Sequence, residues 1–85
     1  MPEGVLLTVE VGISSALRDR RRKLPLYAAA GIREVWFIDV TRGRAEVCRE
    51  PGPDGYASRT IVGRDGVIAP AAFPDVSIVL ADVLL

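Results

Sequence analysis

VLLTVEV at residues 5–11 and EVWFIDV at residues 34–40 are the two stretches whose reading decides the fold. Each is dense in β-branched and apolar residues, and the first is closed by Gly12, so each reads as a strand with few positions for water. The first is expected to be buried on both faces. Between them the chain predicts a helix over about residues 16–30, with Ser14 and Ser15 as N-cap candidates, Leu24, Tyr27 and Ala28 as apolar positions, and Gly31 as a C-terminal glycine. Pro25 removes one amide donor and clashes with the preceding turn, so a kink or an irregular first half is expected. Strand, helix and strand in this order is the pattern of a right-handed βαβ crossover with parallel strands.

Working outward, Thr41-Arg42-Gly43 turns the chain into RAEVCRE at residues 44–50, an alternating strand suited to an antiparallel hairpin. Pro51-Gly52-Pro53-Asp54-Gly55 is a turn, and residues 56–62 form the next strand. Beyond Gly66 a short strand is expected at residues 67–69, a last alternating piece at 76–80 and a helical turn at 81–85, with Pro70 and Pro74 breaking anything longer. The class is α/β, one domain over residues 1–85, in which a strand-helix-strand unit is followed by an antiparallel β-meander.

Composition excludes several chemistries. There is no histidine and a single cysteine, Cys48, so neither a Cys/His zinc set, a Ser-His or Cys-His nucleophile pair nor an intrachain disulfide can form. Eleven basic residues balance eleven acidic ones, and net charge therefore implies no polyanionic partner. An apolar fraction of 49% is ample for a core. A chain this short nonetheless buries only about 60% of its unfolded surface, so a partner such as a second copy in a homodimer is an expectation. The start carries no basic signal-peptide region and no apolar run nears the roughly 18 residues of a membrane span. The expectation is a soluble, cytoplasmic protein with no membrane partner.

Glu10 is the single charge in residues 5–11, and alternation sets it with Leu6 and Thr8 on one face, against Val5, Leu7, Val9 and Val11 on the other. Ligands of βαβ units gather outside the carboxyl ends of the parallel strands, near which Glu10 and Asp39 both fall. Paired carboxylates there can hold magnesium, which takes oxygen ligands. The blander alternative, the commoner one for such residues, has Glu10 facing water on an edge strand and Asp39 starting the turn before Gly43. Lys23 lies four residues after Asp19 and four before Tyr27, a stripe that suits either a solvated ion pair or an ammonium aimed at the strand ends. The run from Arg18 to Lys23 can grip a nucleic-acid backbone. A helix spreads these residues around its axis, so a solvated segment is the commoner result. Trp36 and Phe37 read as core on opposite faces, and Tyr27 as packing.

LLTVEV, then Asp19 and KLPLYAAAGI, then REVWFIDV resemble, in order and spacing, the Uma-type restriction endonucleases, a bacterial family of the PD-(D/E)XK nuclease superfamily. VCREPGPDGY and VIAPAAFPDVSIVLADVLL extend the resemblance over nearly the whole chain. It implies a restriction-endonuclease-like core and magnesium-dependent hydrolysis of DNA, in which two acids bind the metal and a lysine helps activate water. Glu10 matches the second, metal-binding acid. Gly12 stands where the superfamily motif has lysine, and Lys23 fits the lysine that this family carries on the following helix. Asp19 matches a further family acid, and Tyr27 is a supporting candidate. The family draws its first acid from a Pro-Asp strand that has no match here, and Glu3 lies too close along the approach to Glu10 to replace it. The resemblance thus implies an N-terminally truncated domain, inactive as it stands. The alternative is a noncatalytic module or remnant that pairs through an open sheet edge.

Overall fold

The structure, a computed structural model, describes residues 6–84. Glu3, Val5 and Leu85, on which three of the expectations above fall, lie outside it. β1 (Leu7–Gly12), α1 (Ser14–Arg21), α2 (Leu24–Ala29) and β2 (Glu34–Asp39) form the expected crossover unit. β1 runs parallel to β2, with Glu10 opposite Phe37 and Gly12 opposite Asp39. β3 (Arg44–Gly52) and β4 (Gly55–Val62) follow as antiparallel neighbours, giving a mixed sheet in the order β1-β2-β3-β4. β5 (Val67–Ile68) pairs with β6 (Ile78–Val79) in a second small sheet, and α3 (Leu80–Val83) follows.

Two cores form because both faces of the central strands are covered. Under α1 and α2, Leu17, Ile32, Val35, Phe37 and Cys48 pack together with Tyr27 and Tyr56 at their margin. On the other face Trp36, Ile38, Ala45 and Val47 meet Ile68, Leu80 and Leu84 from the chain's last third. Trp36 and Phe37 thus serve opposite faces as core. β3 pairs with β2 in the expected antiparallel hairpin, and the same double cover buries Ala45, Glu46, Val47 and Cys48 on both of its faces.

β1 corrects the expected burial on both faces. It holds no fully buried residue, and Val9 and Val11 are 43% and 47% exposed. The cause is strand order, which sets β1 at the sheet edge, where the distal core reaches only as far as Leu7. The long helix is likewise two short ones. An α-helical Pro25 would leave the carbonyl of Arg21 without its donor and press the ring against it. The chain instead closes α1 with tight i→i−3 bonds from Arg22 and Lys23, and α2 restarts with Pro25 in its first turn. α1 also begins at Ser14 rather than near Ala16, with Ile13 as N-cap and no side-chain cap. Gly31 ends α2 as read, at φ 79°, where the amides of Gly31 and Ile32 donate to the carbonyls of Ala28 and Tyr27 in a Schellman motif.

Candidate functional site beneath the first helix

β1 presents Thr8, Glu10 and Gly12 to the helix-covered face, in register with Val35, Phe37 and Asp39 of β2. Glu10 therefore does not simply face water, although its strand is an edge. Its side chain is 20% exposed and its Oε2 lies 3.1 Å from Nη1 of Arg20. α1 explains the pairing. Leu17 points straight down into the core with no exposure, and residues three and four positions on flank it along the same face. Arg20 falls on the β1 side and meets Glu10. Arg21 falls on the β3 side, where its guanidinium lies 5.7 Å from the centre of the Phe37 ring and 3.4 Å from Glu46.

Tyr27 completes the group around Glu10. Burial pushes its phenol above the ordinary value, the Glu10 charge pushes it further, and Arg20 pulls it back. Those opposed effects place Glu10, Arg20 and Tyr27 in one electrostatic neighbourhood. Lys23 and Asp19 do not join it. Both are exposed, Lys23 sits in the break between α1 and α2, and among the described residues neither makes an ion pair. The helix break removes the shared stripe on which that pair depended.

Asp39 is a structural residue here. Its carboxylate accepts the Ser14 hydroxyl at 2.7 Å and the amides of Thr41 and Arg42 at 3.0 Å each. Burial pushes its carboxyl up, but these hydrogen bonds and the Arg42 charge outweigh burial and hold it below the usual value. The Ser14 hydroxyl, spent on Asp39, is thereby lost as a helix cap. Two further acids are buried that the sequence marked only as strand residues. Glu46 takes Arg21 and, at 2.8 Å, Arg59. Glu34 accepts the Trp36 indole at 2.7 Å, Arg49 at 2.9 Å and the Ala71 amide at 2.8 Å, pinning the distal layer to the sheet. The missed arginine partners, Arg20 and Arg21, were within reach of the sequence: they stand at i+3 and i+4 from Leu17.

A magnesium ion needs several oxygen ligands, and the described residues do not assemble them. No group of three His, Cys, Asp or Glu side chains converges among them. Each buried acid is already held by partners of its own, and Glu10 offers one carboxylate, shared with Arg20.

A parallel β-α-β entry into a mixed sheet, with an acid on the first strand turned under the helices, defines an α/β domain. The chain belongs to the Uma2 family, described as "Putative restriction endonuclease", which it matches over residues 1–82. No curated protein and no solved structure matches it. Among the described residues no helix is long and apolar enough to cross a membrane.

Proposed function

We propose that this domain serves magnesium-dependent hydrolysis of DNA phosphodiesters in the cytoplasm, with Glu10 as a metal-binding acid and Lys23 as a cation for the phosphate. The observation that carries the reading is the placement of Glu10. A carboxylate on a strand that is otherwise apolar is turned under a helix layer and steadied by Arg20 beside Tyr27, where a merely solvated residue would point outward. Family membership supplies the reaction class.

The reading requires a second carboxylate from outside the described residues, since Glu10 alone offers too few oxygens for magnesium. The free edge of β1 is where it fits: a strand pairing there would carry a side chain of the same face next to Glu10. Arg20 holds the carboxylate until then, and the residues described are catalytically idle on their own. Lys23, at the break between α1 and α2, has no competing acid among the described residues and is available to a phosphate.

The same edge favours a second reading. Val9, Val11 and Ile13 are exposed beside strand backbone that is unpaired among the described residues, which suits a noncatalytic module that adds a strand from another chain, a second copy included. Nicking of supercoiled plasmid by the complete gene product, in magnesium and in EDTA, separates the two. Magnesium-dependent nicking is the expected result. Its absence, with self-association in sedimentation, would decide for the module.

A further inference from the structure

Across α1 from Glu10 lies a cavity of about 270 Å³ lined by Ser14, Arg18, Arg21, Asp39, Arg42, Arg44 and Arg59. Half of the chain's ten arginines thus border one recess, although the chain as a whole carries no net charge. They arrive from separate elements. Arg18 and Arg21 are one helical turn apart on α1, Arg42 lies in the β2–β3 turn, Arg44 opens β3 opposite Asp39, and Arg59 comes from β4.

The local acids do not neutralise this gathering. Glu46 is shared by Arg21 and Arg59, and Asp39 is committed to Ser14 and two backbone amides. Arg18, Arg42 and Arg44 make no ion pair and no side-chain hydrogen bond among the described residues. Nε of Arg21, on the same recess, is buried without a hydrogen-bond partner. Drawing like charges together is unfavourable unless an anion joins them, and planar guanidinium forks match the oxygens of a phosphate. The cavity falls below the roughly 300–1,000 Å³ of pockets for whole organic ligands, a size suited to a phosphate with part of its sugar.

We propose that Arg18, Arg42 and Arg44, backed by Arg21 and Arg59, form a phosphate-binding subsite on the flank of α1 opposite Glu10, which takes a phosphate of the nucleic-acid backbone. The choice of backbone over a free phosphate rests on the nuclease reading; the phosphate chemistry does not. The subsite anchors one phosphate on the far side of α1 from Glu10, and so fixes how the strand lies across the domain without taking part in bond cleavage.

Binding of a short fluorescent DNA duplex and of pyrophosphate, each measured between 50 and 200 mM salt on the native chain and on R18Q/R42Q/R44Q, tests this. The three side chains make no ion pair and no side-chain hydrogen bond among the described residues, so a melting temperature close to the native one checks that the variant folds. One released phosphate contact predicts that the native chain's affinity for the duplex falls about 3.5-fold further over this fourfold salt range than the variant's. The duplex measurements are made in EDTA, so they do not depend on a metal at Glu10, which separates this test from that of the nuclease reading, and R33Q, at an exposed arginine outside the recess, binds the duplex as the native chain does. Pyrophosphate binding that needs the arginines, with duplex binding that does not, keeps the subsite but makes its ligand a free phosphate. Native and triple variant binding both probes equally would overturn the proposal, as would an R33Q chain that loses duplex binding to the same extent as the triple variant.

Discussion

Tyr27 reports on the charges beside it, and their signs can be tested one at a time. Replacing Glu10 with glutamine removes a charge that raises the Tyr27 phenol, so its titration midpoint falls in E10Q; removing Arg20 deletes an opposing charge, so it rises in R20A. NMR titration of the Tyr27 ring resolves it from Tyr56, whose phenol burial lifts to about 12 and which donates to the Ile32 carbonyl. Asp39 carries a linkage of the other kind. Because its folded-state carboxyl lies below the ordinary 3.8, it adds stability that is complete above that value and lost as pH falls through the lower, folded one. Urea midpoints followed through the acid range should therefore drop below about pH 4 in the native chain and flatten there in D39N. Cys48 is inert by the same physics. Burial, with the Glu46 carboxylate beside it, pushes its thiol up to about 11, so native protein resists iodoacetamide at neutral pH and urea-unfolded protein does not.

At the scale of elements, α1 is held by one deep contact and a flank of arginines, so Leu17 is its anchor. L17A should cost about 2–5 kcal/mol in denaturant unfolding, since the side chain is wholly buried between helix and sheet. G31A should cost about 1 kcal/mol, because the Schellman turn needs the left-handed backbone that alanine resists. Most elements were legible in the sequence for physical reasons. Dense apolar runs marked β1 and β2, alternation marked β3, Gly31 marked a helix end, and Pro25 marked a fault in the helix. The proline could not say which remedy the chain would adopt, a bend or a restart. Nor could Ser14 announce that its hydroxyl would go to Asp39, a partner twenty-five positions away. The reading of β1 failed because hydrophobicity reports the tendency to be buried, while strand order decides how much cover a strand receives.

Over the whole molecule the same limit governs the site. Glu10 stood out as a charge in an apolar run, yet its partner Arg20 sat in a basic stretch that reads as solvated, and the cavity arginines come from four segments that only the fold brings together. Glu34 shows how tightly the layers depend on buried charge. E34A would take the acceptor from the Trp36 indole, from Nε of Arg49 and from the Ala71 amide, while Arg49 keeps the Ala69 carbonyl, and should destabilise the domain by about 1–3 kcal/mol in chemical denaturation. In contrast, among the described residues the outer edge of β1 is unpaired, with Val9 and Val11 beside Glu10, the one acid that these residues supply to the nuclease reading. The most direct measurement is the plasmid nicking rate of the complete gene product against its E10Q variant in magnesium, an exchange that removes the charge and keeps the shape. A metal-binding Glu10 predicts a loss greater than the roughly 10–100-fold brought by removing an outer partner of a metal site. Equal rates in the two proteins would contradict it.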